Sequence, residues 1–269
     1  MILNDADLKD LMHARSLLEK STFAVKLMNV MGAPIEKGLK SLPESWTRRI
    51  DALSRASMHR ALKMAVGTLD MAERERPSNG LHRALVMTSG GAAGFFGLPA
   101  LALELPISTT IMMRSIADIA RSEGENLHSP ETQVACMEVF FLGGGPDVRD
   151  GNPDVGGVET GYYAVRAALS KAVTDAVRHL AEKGLTETGA PAIIRLISQV
   201  SSRFGIAVSE KAAAIAVPVV GSAGGAIVNS IFIDHFQAMA KGHFIIRRLE
   251  RIYGHERVKS TYLSLGGHP

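Results

Sequence analysis

The chain has 269 residues, of which 46% are hydrophobic, 21% charged and 5% aromatic, and its formal net charge is +3. This balance excludes disordered, collagen-like and disulfide-rich secreted proteins, and the length allows one large core. The single cysteine, Cys136, can form no disulfide within the chain, so we expect a cytoplasmic protein. The first ten residues hold three aspartates and no apolar run of signal-peptide length, so we expect no export by that route.

Positive charge is concentrated in two segments. Residues 34–63 contain seven Lys or Arg against three acidic residues, and residues 241–259 contain six against two, so each has a net charge of +4. The remainder of the chain therefore has a net charge of −5. Such segments can bind an anionic surface, or they can be two helix faces solvated by water. For the first segment we predict that anionic headgroups contact Arg48, Arg49, Arg55 and Arg60.

Apolar residues recur at a spacing of about 3.6 along the chain and convincing alternation is absent, so the sequence predicts an all-α fold with a single helical domain. The first helix is predicted over residues 5–31, ended by Gly32 and Pro34. The second is predicted over residues 43–75, where Ser41 and Glu44 have the spacing of a capping box. We divide the chain into an N-terminal helical extension, residues 1–40, and a helical domain, residues 41–260.

Two long apolar stretches stand out. Residues 84–113 carry one charge, Glu104, and residues 212–233 carry none. Their length is typical of membrane spans, whereas their many glycines and prolines favour helices buried by other helices. Both alternatives stay open: central helices of a soluble core, or hairpins that insert into lipid. Glu104 and Asp234 correspond at an offset of 130 residues, which indicates a pseudo-twofold pair of helical hairpins or a coincidence of composition.

Motifs for cofactor or metal binding are absent from the sequence. There is no nucleophile elbow, zinc helix motif or phosphate-binding loop, so we predict no cofactor and no metal. Residues 143–161 hold seven glycines and must form a loop. The loop contains Asp150, Asn152 and Asp154 at calcium-loop spacing, but lacks the glycine and glutamate that such a loop requires.

The last long apolar helix carries a series of polar residues. His243, Arg247 and Glu250 follow one another at four and three positions and share one helix face. Because buried charges need partners, we expect Arg247 to pair with Glu250, Glu104 or Asp234. The predicted polar network comprises Glu104, Arg114, Asn229, Asp234, His243, Arg247 and Glu250.

The same region resembles a known protein family. Residues 217–226 read VPVVGSAGGA, and the positions that follow at matching intervals are Asn229, Phe232, Asp234, Ala240, His243, Phe244, Arg247, Leu249, Glu250, Tyr253 and Gly254. This pattern strongly resembles the C-terminal signature of the EcsC protein family. Two earlier blocks resemble the same family, one around Gly97, Pro99, Glu104, Pro106, Arg114, Ile116 and Gly124, the other around Gly161, Tyr162, Tyr163 and Arg166. The likeness covers about residues 45–258, and Glu104 stands where many members have aspartate.

The resemblance implies a bacterial, largely helical protein, sometimes linked to ABC transporters or membrane processes, with no settled activity. Our leading hypothesis is a non-enzymatic protein that attaches to an anionic membrane surface, or to a membrane-protein partner such as an ABC transporter, at the inner membrane. The alternative is a hydrolase, with or without a metal, built from His243, Glu250, Asp234 and Glu104. Nucleic-acid binding is the weakest hypothesis because no reading motif is present. The sequence indicates no oligomeric state.

Overall fold

Helices make up the fold, and no strand occurs in the residues that the structure describes. This computed structural model describes residues 3–19, 22–31, 38–40, 42–67, 98–144, 161–185, 190–216 and 221–265. Within these ranges the elements form a single helical domain, so the predicted fold class is confirmed. The helices are α1 (Asp5–Glu19), α2 (Phe23–Met31), α3 (Glu44–Gly67), α4 (Leu98–Ser122), α5 (Pro130–Leu142), α6 (Tyr162–Lys183), α7 (Pro191–Ala216), α8 (Gly221–Tyr253) and α9 (His255–Ser264).

The first predicted helix is two helices in the structure. α1 ends at Glu19 and α2 begins at Phe23. The hydroxyl of Thr22 accepts a hydrogen bond from the Val25 N–H at 3.4 Å, and such a bond satisfies a donor that a new helix start leaves free. A single helix over residues 5–31 was therefore the wrong prediction.

α3 begins at Glu44, one residue after the predicted start at residue 43; the proposed capping residue Ser41 lies outside the described residues. Its apolar stripe is buried at Ile50, Ala61 and Leu62. The predicted end of this helix, near residue 75, lies outside the described residues.

The 33-residue helix α8 is the central element. It packs against α1, α2, α4, α5, α7 and α9. Around its middle, Phe232 and Phe236 pack against Phe140 and Phe204 with ring centroids 5.1 to 6.0 Å apart. Edge-to-face and tilted pairs of this kind give a core a specific geometry.

Each apolar stretch has a buried and an exposed side where the structure describes it. Phe232 on α8 and Leu105 on α4 are fully buried, whereas Ile227 on α8 is 45% exposed and Leu103 and Ile107 on α4 are 77% and 49% exposed. The pairing of two complete hairpins, and their pseudo-twofold relation, stay predictions because residues 84–97 and 217–220 lie outside the described ranges. Among the described helices, none combines the length and the apolarity that a membrane crossing requires.

Candidate functional site

α3 presents a continuous basic surface. Its exposed cations are Arg48, Arg49, Arg55, Arg60 and Lys63, a set that we name the basic face. At about 100° per residue these five positions span about 140° of the helix circumference. The buried residues of α3 occupy the other side, so the basic face points away from the protein.

Among the described residues, acidic side chains do not neutralise the charges of the basic face. No ion pair joins Arg48, Arg49, Arg55 or Arg60 to any residue in the described ranges. The Arg49 guanidinium instead lies 5.3 Å from the ring centroid of Trp46, a cation–π contact. These arginines are therefore free to bind external anions.

The second basic segment is different, because acidic residues bind its cations. Arg247 Nε lies 2.8 Å from Glu125 Oε1, and Arg251 pairs with the same carboxylate. Arg248 Nη2 lies 2.5 Å from Asp10 Oδ2. In addition, Lys241 pairs with Glu123. Of the two predicted basic segments, the first is the one that presents unpaired positive charge.

The C-terminal half of α8 contains a hydrogen-bonded polar cluster with α6. Arg166 Nη1 donates to both carboxylate oxygens of Glu250 at 2.8 Å. His243 is fully buried, and its Nδ1 lies 2.8 Å from the Tyr162 hydroxyl oxygen. Burial, together with the positive charges of Arg166 and Arg247, holds the pKa of His243 well below its usual value, so the ring is neutral.

A cavity of about 370 Å³ lies beside this cluster. Its lining includes Glu138, Tyr163, Arg166, Arg247 and His255. Glu138 is 4% exposed, and burial raises the pKa of its carboxyl despite the nearby arginines. A buried carboxyl beside two guanidinium groups can hold a proton at a pH where an exposed one would have lost it.

A second polar cluster lies where the N-terminal halves of α4 and α8 meet the C-terminal part of α7. Lys211 Nζ donates to Glu104 Oε2 at 2.7 Å, and Asn229 Nδ2 donates to Glu104 Oε1 at 3.2 Å. Lys211 is fully buried and lies 4.6 Å from the Phe232 ring centroid. Glu104 and Asn229, two members of the predicted polar network, are therefore in direct contact.

The structure separates the four residues of the predicted hydrolase site. Glu104 contacts Asn229, and Asn229 stands 14 positions before His243 on α8, which is about 21 Å at a rise of about 1.5 Å per residue. Glu250 belongs to the α6–α8 cluster. The negative charge of Asp234 interacts instead with Lys26 of α2, where it raises the lysine pKa against the larger opposing effect of burial. The four residues therefore do not line one common pocket.

The family comparison identifies the chain. The model of the EcsC protein family matches residues 12–249, most of the sequence. The chain belongs to the EcsC protein family. No curated protein and no solved structure matches it. The family match begins inside α1, before the start at about residue 45 that the motif resemblance gave.

Two residues of this EcsC protein have surroundings that the sequence did not predict. Arg247 pairs with Glu125 rather than with Glu250, Glu104 or Asp234, since Arg166 already occupies the Glu250 carboxylate. Arg114 is exposed on α4. It follows Ile107 by seven positions, about two helical turns, so it lies on the same helix face as Leu103 and Ile107. Its placement in the buried network was wrong.

Residues that the sequence reasoning missed complete the clusters of this EcsC protein. Tyr162, Tyr163 and Arg166 belong to the middle block that resembles the family. That resemblance marked these residues as important, but it did not indicate their contacts with His243 and Glu250. Lys211 stands next to the uncharged stretch that begins at residue 212. A lysine at the end of such a stretch is ordinarily expected to be exposed to water, so the sequence did not indicate its burial. Within the described ranges, no three His, Cys, Asp or Glu side chains are grouped so that they could hold a metal ion.

Proposed function

We propose that this EcsC protein is a non-enzymatic peripheral membrane protein that binds anionic lipid headgroups through the basic face of α3. The observation that carries this proposal is the absence of ion pairs between its arginines and the described residues, combined with their position on one exposed face. Each basic residue near an anionic surface contributes about 1 kcal/mol. Four arginines therefore supply about 4 kcal/mol at low salt, enough for weak, reversible attachment.

A second, apolar signal supports attachment. Stable membrane binding requires apolar burial in addition to charge. Leu103 and Ile107 are exposed on α4, which packs directly against α3. Arg114 follows on the same face of α4, where a long cationic side chain can reach headgroups while the apolar residues enter the interface.

The test is co-sedimentation of the full chain with vesicles over a salt series. One set of vesicles is pure phosphatidylcholine, and the other contains equal parts of phosphatidylcholine and phosphatidylglycerol. We expect binding to the anionic vesicles alone, and we expect it to weaken as salt shortens the Debye length, which is about 8 Å at physiological ionic strength. Replacing Arg48, Arg49, Arg55 and Arg60 by glutamine should abolish this binding.

A matched control removes four exposed cations outside the basic face. Its substitutions to glutamine are at Lys9, Lys171, Arg178 and Lys183. This control has the same net charge as the basic-face variant, so it should retain most of the binding if location matters. Wild-type protein that stays in the supernatant with anionic vesicles at low salt contradicts the proposal, as does equal loss in both variants. A requirement for membranes that contain an ABC transporter would favour a protein partner over lipid.

Hydrolysis is the second candidate function, and the cavity next to Glu250 favours it. Glu138 is suited to act as a general acid, and Arg166 and Arg247 can stabilise negative charge that develops on a substrate. Of the four residues predicted from the sequence, none lines this cavity, and Glu250 lies next to it through its contacts with Arg166 and His255. The test compares hydrolysis of chromogenic phosphate and carboxylic esters by wild type and Glu138→Gln. Equal rates for both proteins contradict it.

A further inference from the structure

A groove with several charged and hydroxyl-bearing residues lies between α3 and α7. Its volume is about 320 Å³, which is within the range of small-molecule pockets. We name it the α3–α7 groove and define it by Asp51, Arg55, Ser201, Ser202, Gly205 and Glu210. Because Arg55 also belongs to the basic face, the groove opens directly beside the surface proposed to meet the membrane.

The groove contains charges of both signs that do not neutralise each other. Asp51 and Arg55 are four positions apart on α3, yet no ion pair within 4.0 Å joins them. The third charged group, Glu210, comes from α7. In the described part of the chain, no cation pairs with either carboxylate.

A buried hydroxyl without a partner lies next to the groove. Ser54 is fully buried, and its Oγ has no hydrogen-bond partner in the described ranges. A Cβ placed on Gly205 would lie 3.6 Å from Ser54 Oγ and 3.8 Å from Asp51 Oδ1. The missing side chain of Gly205 therefore leaves open the space between this hydroxyl and Asp51. An unsatisfied buried hydroxyl is unfavourable unless a ligand or water supplies its partner.

We propose that the α3–α7 groove binds the phosphoethanolamine headgroup of a zwitterionic phospholipid, with Arg55 on the phosphate and Asp51 and Glu210 on the ammonium group. Side chains four positions apart on a helix lie about 6 Å apart at their Cβ atoms. The two charges of phosphoethanolamine are similarly close because two carbons link them. This inference rests on the proposed function, which brings the groove to the membrane.

The groove's composition selects among headgroups. A headgroup with negative charge alone would face the Asp51 carboxylate and, once it is ionised, that of Glu210, against one guanidinium, so repulsion disfavours it. Choline cannot donate hydrogen bonds and is recognised by aromatic cages, and none of the lining residues that the structure describes is aromatic. A primary ammonium donates three hydrogen bonds, which carboxylates and serine hydroxyls accept.

The first experiment uses soluble headgroups with the full chain. Glycerophosphoethanolamine, glycerophosphocholine and inorganic phosphate are titrated separately and followed by calorimetry. We expect saturable binding of glycerophosphoethanolamine and about tenfold or weaker binding of the choline analogue, the loss that one charge-assisted hydrogen bond produces. Equal binding of the two analogues, or of phosphate, would overturn the proposal in favour of a simple anion site.

Variants then separate this inference from the function on which it rests. Asp51→Asn with Glu210→Gln preserves side-chain shape and removes both carboxylates. It should remove the preference for ethanolamine while anionic-vesicle binding persists or rises, because the surface becomes more positive. Gly205→Ala fills the space below Ser54 through ordinary van der Waals contacts, so it should weaken headgroup binding without unfolding the protein.

The possible failures are distinguishable. Headgroup binding that is absent in a protein that still binds anionic vesicles refutes the groove proposal and leaves the basic face intact. Selective headgroup binding by a protein that ignores vesicles supports the groove and refutes membrane attachment through α3. Unchanged ethanolamine preference in the Asp51→Asn, Glu210→Gln variant also refutes the groove proposal. Circular dichroism checks that each variant is folded.

Discussion

Lys211 and Glu104 form an ion pair in the interior, with Lys211 Nζ 2.7 Å from Glu104 Oε2 and both side chains almost completely buried. The pair joins α7 to α4, and Asn229 adds a hydrogen bond from α8. Each charge is stable in the interior only because the other is present, since water cannot solvate either of them there. The relative position of three helices thus depends on one carboxylate.

Lys211→Met tests this dependence. The substitution leaves the Glu104 carboxylate buried without its cation, so we expect the free energy of unfolding to fall by about 3 to 5 kcal/mol. Urea denaturation followed by circular dichroism measures it. The double variant Lys211→Met, Glu104→Gln should recover much of the loss because it contains no buried charge at this site. A single variant as stable as wild type would contradict the argument.

Gly242 lets α1 approach α8 closely. A Cβ at this position would lie 2.7 Å from Leu18 Cγ and 3.0 Å from the Ala14 carbonyl oxygen. We expect Gly242→Ala to destabilise the protein by about 1 to 3 kcal/mol through overpacking. Gly67→Ala is the matched control, since nothing lies within 4 Å of its Cβ position, and it should be neutral or slightly stabilising. Thermal unfolding of the two variants makes the comparison, and an equal effect of both would contradict it.

Glu210 gives the protein a pH-dependent stability. Burial raises the pKa of its carboxyl from 4.5 to about 7, against the opposing effect of the Ala24 backbone N–H, and Asp51 and Arg55 are the charged groups that line the same groove. The unfolded state loses this proton near pH 4.5 and the folded state near pH 7, so the free energy of unfolding falls as pH rises between these values. Glu210→Gln should remove a decrease of about 3 kcal/mol over that interval. Urea titrations at several pH values test it, and identical pH profiles for both proteins would refute it.

Cys136 provides a probe of unfolding. It is fully buried on α5, and burial raises the pKa of its thiol to about 12. We expect a thiol reagent to label it at neutral pH at the rate at which the protein opens, because thiolate is scarce and the sulfur is inaccessible. Urea should increase the labelling rate in parallel with the loss of helicity. Rapid labelling of the folded protein would show that α5 is less well packed than described.

The fold class was predictable because helical periodicity is a local property of the sequence. The break between α1 and α2 was missed, since the apolar periodicity continues through it and only the Thr22 cap marks the new start. The exposed cations of α3 were predictable from charge density, and their helical spacing places them on one face. The sequence could not show that the α3 cations lack acidic partners among the described residues while those of α8 have them, because this difference depends on contacts between residues that are distant in the chain.

Ion-pair partners could not be predicted from the sequence. Arg247 pairs with Glu125, which is 122 positions away, and Lys211 with Glu104, which is 107 positions away. Nearer carboxylates, such as Glu250 for Arg247, were plausible on helix spacing alone. Tertiary packing decides which carboxylate pairs with Arg247, because Arg166 of α6 already donates to the Glu250 carboxylate.

The basic face also determines how the protein behaves as a polyelectrolyte. The isoelectric point is about 9.0 and the formal net charge +3, yet the cations of the C-terminal segment are largely matched by carboxylates. Replacing the four arginines of α3 by glutamine would change the net charge to −1, so the charge on this one helix surface exceeds the net charge of the whole protein. Such one-sided charge gives the molecule a permanent electric dipole, which would orient α3 toward a polyanion before any contact forms.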